Sequence, residues 1–338
     1  MRKARTRRSP HTQRRSIFPC FFFVYAGPRY NNPLSCELNS VSDFLDSATY
    51  NNGIIRHMAF DSSSTSYTIP VDFINLNQDR RFLEATFLSS LCTIVGEKGL
   101  LGIRYTVWRF CIEYYTTEEE PALLPYQGIR LIFWHRMTKD TIPHRWYKLP
   151  FKNTKAHYVV VLISDKDTYM KQWSKTFRNY SSLFDRQHDY AIKEISCVDY
   201  AALYHVYTTD TKRATHSLSF TEKYYTYFPS STYFYVLYHT VTGEVVGGIA
   251  SLDCDRVSQS YYISAFTDKK RAPPACGLWL CDHQMKQSSK RGIRYANLGV
   301  IWSRGQPRSW KGFSNFKMKF NPIPIMFKKD LVRMTFFG

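Results

Sequence analysis

A mixed α/β sheet with flanking helices is the fold class the sequence predicts, and three observations predict it. Short strand-like runs alternate with helically spaced apolar residues through 166–338. Three of those runs follow one another through turns, and a helical stretch then leads to a further strand. Adjacent strands followed by a helical crossover imply a sheet with both antiparallel and parallel pairs.

The elements follow in order. Asp79 can cap a helix whose apolar face is Leu83, Phe87, Leu91 and Val95. Strand-like runs occupy Gly102–Arg109 and Gly128–His135, with a surface turn at Thr116–Pro121 between them. Tyr158–Ile163 is a continuous apolar run, as expected for a strand covered on both faces. Met170, Trp173, Phe177 and Tyr180 recur at helical spacing, and the strand Tyr190–Ile195 follows. Ser196 to Asp199 fits a capping pattern ahead of a helix bearing Tyr200, Leu203, Tyr204 and Tyr207. A further helix over 217–227 leads into the strand Tyr233–Tyr238. Thr242-Gly243 turns the chain into Val245–Leu252, and Ser260–Phe266 follows. Pro273-Pro274 ends that run. Leu278, Cys281 and Met285 then share one helical face, and Arg291-Gly292 closes the helix. Ile293–Leu298, a basic aromatic loop, and runs at Ile323–Phe327 and Leu331–Phe336 complete the chain.

Composition narrows the function. The chain of 338 residues is long enough for two domains. No apolar run reaches the roughly eighteen residues of a membrane span, so a soluble protein of the cytoplasm is expected. Lys and Arg number 46 against 27 Asp and Glu. Residues 268–338 carry fifteen of these bases and three acids, a field suited to phosphate-bearing partners. Eight cysteines show no CxxC pair, which argues for buried free thiols in a reducing compartment. Cys276, Cys281 and His283 lack a second ligand pair, and no metal site is expected. Residues 1–57 form a basic extension. Its first 36 residues carry eight bases and no acid, which suits a transit peptide to an organelle matrix, a disordered basic arm, or an extension upstream of a true start at Met58.

The residues that bear on chemistry lie near the C-terminus. Trp310-Lys-Gly-Phe-Ser-Asn-Phe-Lys-Met-Lys-Phe-Asn-Pro322 follows Leu298-Gly299 by eleven residues. Read as a loop, it can clamp an anionic or planar ligand, with Phe316 packed inward and Lys317 free to reach. Lys311 and Arg308 fit phosphate contacts, and Trp310 could stack on a base. Lys269, Lys270 and Arg271 form a basic triplet ahead of Gly277, which opens a helix N-terminus. Asp253 and Asp255 end a hairpin strand, where either could position an amine or take its proton.

Residues 166–338 resemble the GNAT fold, and the local sequence resembles its Fem branch. The resemblance rests on four ordered segments. They are Trp173-Ser-Lys-Thr-Phe-Arg178, Phe234–Tyr238 with Gly243-Glu-Val-Val-Gly-Gly248, Lys290–Gly299, and Gly312-Phe-Ser-Asn-Phe-Lys317. Tyr295–Gly299 followed by Phe316–Pro322 is also similar to the end of aminoacyl-tRNA–protein transferases, which share the fold. The resemblance covers about half the chain.

It implies an acyltransferase domain at 166–338 and a second, duplicated GNAT-like domain at 58–165. It also implies transfer of an acyl or aminoacyl group from aminoacyl-tRNA or acyl-CoA to an amine, such as a peptide or cell-wall precursor, by direct attack. No tightly bound cofactor is implied. Lys317 would assist the donor ester, and Gly248, Leu298 and Gly299 would shape the cleft. The departure is at Arg271-Ala-Pro-Pro-Ala-Cys-Gly277. Coenzyme A enzymes of this fold carry a Gly-rich pyrophosphate loop there, whereas proline offers no N–H. The rival expectations are a non-catalytic basic nucleic-acid-binding protein and a degenerate transferase scaffold.

Overall fold

The computed structural model describes residues 69–337, apart from 88–90, 98–99, 123–125, 151–152, 154, 166–168, 209–211 and 304–307. The basic extension at 1–57 lies outside the described residues.

Two mixed sheets organise the chain. The first contains β1 (Cys92–Val95), β2 (Gly102–Val107), β3 (Phe110–Thr116), β4 (Gly128–His135), β5 (Tyr147–Lys148) and β13 (Leu331–Phe337), in the order β1-β2-β3-β4-β13-β5. The second contains β6 (Tyr158–Leu162), β7 (Tyr190–Glu194), β8 (Thr232–His239), β9 (Val245–Cys254), β10 (Gln259–Thr267), β11 (Tyr295–Val300) and β12 (Ile323–Ile325). Its order is β12-β6-β11-β10-β9-β8-β7.

The two sheets share one plan. In each, a three-stranded antiparallel meander is followed by one parallel step, β3 to β4 and β10 to β11. Each is then extended by an antiparallel strand from the other half of the chain, β13 on β4 and β6 on β11. This is a tandem architecture, although the residues show no repeat. The expected boundary at 165/166 follows β6, which pairs in the second sheet, while β13 returns to the first.

Helices cover the second sheet on both faces. On one side α5 (Cys276–Lys290) and α2 (Lys175–Arg186) pack over Val159, Val161, Ile249, Ala296 and Leu298. On the other, α3 (Cys197–Thr208) and α4 (Lys212–Tyr227) cover Phe234, Val236, Ala250 and Phe266. β6 is buried on both faces, as its unbroken apolar run predicts: Val159 and Val161 lie under the α2/α5 side, and Tyr158 and Val160 pack with Phe73, Tyr295 and Phe327. The helix ends follow local chemistry. Ser196 Oγ accepts from the Asp199 amide at 3.0 Å and donates to its carboxylate at 2.7 Å, capping α3. Gly292, at φ 88, lets the Ile293 amide return to the Ser288 carbonyl past the end of α5.

Three expectations are corrected. The helix capped by Asp79, α1 (Arg80–Phe87), stops after two turns, so Leu91 lies beyond it and Val95 belongs to β1. The strand β3 was not expected between Arg109 and Thr116. Its hairpin turn is Trp108-Arg109, with Trp108 at φ 53, and carries none of the Asn-Gly or Asp-Gly chemistry that marks such turns. The basic aromatic loop is in fact a helix, α6 (Lys311–Met318), which holds Gly312 and has no side-chain cap at Trp310.

One close approach fixes the geometry of the sheet under α5. A methyl group at Gly247 would lie 2.5 Å from Sγ of Cys276 and 3.3 Å from the Phe266 carbonyl oxygen. Gly247→Ala is expected to destabilise the protein by about 1–3 kcal/mol through overpacking, read as a lower urea midpoint with an unchanged slope.

Candidate active site

The second sheet opens between its two central strands. β10 and β11 run parallel and pair only over Gln259–Tyr261 and Tyr295–Asn297. Beyond Tyr261, β10 continues with β9 as far as Thr267, while β11 continues with β6. Both strands change register as they separate. The shift falls between Tyr262 and Ser264 on β10 and between Asn297 and Gly299 on β11. Bulges of this kind re-aim backbone groups and are over-represented beside active sites. The splay leaves Tyr262 on one side and Leu298, Gly299 and Val300 on the other, under the N-terminal half of α5 and beside α6.

Lys317 stands at this opening. Its ammonium donates to the Val300 carbonyl at 2.8 Å and lies 4.7 Å from the centre of the Phe313 ring. A methyl group at Gly299 would sit 3.7 Å from Nζ, and Gly299 itself is at φ 76. Burial pushes the amine down to about 8, with the Cys281 thiol of α5 pulling weakly the other way. The side chain is thus anchored, not free as a loop would have left it.

The other expected residues divide into groups. Phe316 packs against Phe177 and Phe320, with ring centres 5.6 and 5.4 Å away, and faces Gly277 on α5. Leu298 is buried beneath α5. Gly248 lies opposite Phe266, whose ring a methyl group there would meet at 2.5 Å. Lys311 lies 4.5 Å from the Trp302 ring, and Trp310 is tilted against Phe313 with centres 5.9 Å apart. Arg308 is exposed at the start of this segment, and Lys269 and Lys270 are exposed in the loop after β10.

Arg271 does not project freely as a phosphate ligand. Its guanidinium bonds Asp268 at 2.7 Å and Glu244 at 2.6 Å. The amides of Lys270 and Arg271 both turn to the Asp268 carboxylate, and that of Ala272 to the Asp268 carbonyl. The bond from Arg271 and those amides hold Asp268 below the usual carboxylate range. A carboxylate therefore takes the backbone donors that a pyrophosphate would need.

Asp253 and Asp255 lie at the far end of the sheet. Register places Asp253 opposite Ser260, within the closed stretch of β10 and β11 and away from the splay. It is buried and held by Arg291 at 2.7 Å and Ser288 at 3.0 Å. Asp255 starts a short 3-10 helix just beyond it and is exposed.

Sequence reasoning missed the groups whose meaning comes from the splay. These are Tyr262 on the diverging strand, Cys281 facing Lys317, the Val300 carbonyl, and the buried amides Gln259 and Asn297. Burial drives the Tyr262 hydroxyl far above its ordinary value, so it remains a proton donor. Among the described residues no group of three or more His, Cys, Asp or Glu could hold a metal ion, and no helix is long and apolar enough to cross a membrane.

No family model matches the sequence, and no curated protein matches it significantly. Solved structures do match. FemX superposes with a TM-score of 0.59 at 9% identity, over 78% of this chain and 93% of that one. L-PGS from Bacillus licheniformis gives 0.41 at 12% identity, over 72% and 83% of the two chains. A tandem GNAT protein from the clavulanic acid biosynthesis pathway gives 0.39 at 8% identity, over 75% and 87%. The chain has a tandem GNAT-like fold of the FemX type.

Proposed function

We propose that the protein is a transferase that moves an acyl or aminoacyl group to an amine, with the donor ester lying in the splay between β10 and β11. The observation that carries this is the convergence of an anchored, partly buried lysine on a gap opened by two bulged strands. The acceptor nitrogen attacks the donor carbonyl, a C–N bond forms, and the C–O or C–S bond to the carrier breaks. The nitrogen loses a proton and the leaving atom gains one. Lys317 supplies positive charge beside the leaving atom, and Tyr262, on the diverging strand, would offer its hydroxyl as a donor. No nucleophile on the protein is needed.

The donor favoured is aminoacyl-tRNA over acyl-CoA. Asp268 fills the loop where a coenzyme pyrophosphate would be cradled. The bases of α6 and its approach, with the aromatic rings of Trp302, Trp310 and Phe313, suit a nucleic-acid end. Lys311 and Arg308 would contact phosphate.

Binding of aminoacyl-tRNA and of acyl-CoA to the full chain, at two salt concentrations, tests this. Expected is saturable aminoacyl-tRNA binding that exceeds binding of the same tRNA without its aminoacyl group and that Lys317→Ala weakens about tenfold. Binding of any RNA alike, lost steeply with salt and indifferent to Lys317, would show a basic nucleic-acid-binding protein instead.

A further inference from the structure

A line of buried amides runs from the first half of the chain to the mouth of the splay. Residues 69–78 cross the closed end of β10 and β11, where Asp72 meets Arg294 and takes a 2.9 Å hydrogen bond from Tyr295. In the same segment Asn75 donates to Tyr158 on β6 at 3.0 Å. Beneath it, the Gln259 side chain donates to the Ile74 carbonyl. Gln259 accepts from the Asn297 amide at 2.9 Å, and Asn297 Oδ1 in turn accepts from the Gly299 backbone N–H at 2.9 Å. Gln259 is fully buried and Asn297 3% exposed, so each amide group must find its partner inside the protein.

The last bond of the line falls at the β11 bulge. By holding the Gly299 N–H inward, Asn297 withdraws it from the ladder with β6 at the point where the register shifts. Gly299 then takes φ 76, which a residue without Cβ tolerates, and the following carbonyl, Val300, receives Lys317. We propose that Asn297 and Gln259 are positioning residues for Lys317, fixing the bulge that presents the Val300 carbonyl to its ammonium group. The proposal rests on the reading of Lys317 given above for its consequence in catalysis, but not for its geometry.

The group that faces Lys317 from α5 is Cys281, and Phe313 faces it from α6 itself. Releasing the bulge frees the ammonium into water, and its pKa climbs toward the ordinary lysine value. The test is the pH dependence of Lys317 acetylation by acetic anhydride, read by peptide mass spectrometry on the full chain with no donor present. Wild type is expected to show a midpoint at about 8. Asn297→Ala and Gln259→Met are expected to raise it by about one unit. Ser288→Ala removes a buried hydroxyl bonded to Asp253 and Ser260, away from this line, and is expected to leave the midpoint unchanged.

An unchanged midpoint in Asn297→Ala, or an equal shift in Ser288→Ala, overturns the proposal. Should Asn297→Ala not fold, Gln259→Met decides by the same criterion. Labelling needs no transfer reaction, so the positioning role stands or falls separately from the proposed activity. Where transfer is measured, both variants are expected to lose about tenfold in kcat with little change in KM, as misplacement of an otherwise intact group does.

Discussion

Replacement of Lys317 by alanine is expected to lower the rate of transfer by about 10²–10³, the usual consequence of removing one preorganised charge from a developing anion. The thermal midpoint should move little, because Nζ makes one hydrogen bond at the edge of the site. The pH dependence is more diagnostic than the size of the loss. With the amine pushed down to about 8, Lys317 is a cation below that pH and neutral above it. If its charge is what matters, wild-type activity falls as pH rises through about 8. Deprotonation of the acceptor amine pulls the other way, so the informative quantity is the ratio of Lys317→Arg to wild type. Arginine keeps its charge, and the ratio should rise steadily above about 8. A flat ratio would remove Lys317 from the reaction.

Stability carries an independent sign. The folded pKa lies below the unfolded value of 10.5, so the unfolded chain binds more protons across the window from about 8 to 10.5. Stability contributed by this group therefore rises with pH through that window and is lost as pH falls through the folded pKa. Urea unfolding of wild type and Lys317→Ala at the two ends of the window would show the difference.

The parts of this molecule that could be read from residues are those whose cause is local. The run Tyr158–Ile163 reads as a doubly covered strand, and β6 is one. Ser196 with Asp199, and Arg291 with Gly292, carry their helix ends in a few side chains. Apart from α6, the order of elements from α2 to β13 follows from such signals. By contrast, β3 was hidden by a turn without turn residues, and α6 by a glycine in its first turn and no side-chain cap. The strand exchange was hidden for another reason. Nothing in β6 or β13 states which sheet completes itself with it, because that choice is made by the space left beside β11 and β4.

The candidate site was legible only in part. Lys317 was named from a basic aromatic segment and from the resemblance, and it lies beside the splay, anchored on the Val300 carbonyl. Arg271 looked like a phosphate ligand because Glu244 is distant in sequence, and only the fold joins the two. The line from Ile74 through Gln259 to Asn297 joins residues 185 and 38 positions apart, and no spacing rule reaches that far. Polar residues in a strand pattern were signals that something must satisfy them, but not of what.

Asp253 is the sharper case, since a carboxylate at a strand end near a proposed amine site invites a catalytic role. The geometry assigns it a different one. Its two oxygens are taken by Arg291 and Ser288, and the Arg291 guanidinium lies 3.6 Å from the centre of the Tyr233 ring. The pair ties the last turn of α5 to β9, on which the register of β10 depends. Asp253→Ala is therefore expected to cost about 3 kcal/mol, the lower part of the range for breaking a buried pair, because Arg291 keeps 27% of its side-chain surface in water. The thermal midpoint should fall by about 4–5 °C. Adding Arg291→Met should restore most of that loss, since no charge is then left unpaired. In both variants kcat per folded molecule and its pH profile should stay within about twofold of wild type. A general base behaves otherwise. Its removal would cost about 10²–10⁴ in kcat, erase one limb of the pH profile, and not be relieved by Arg291→Met.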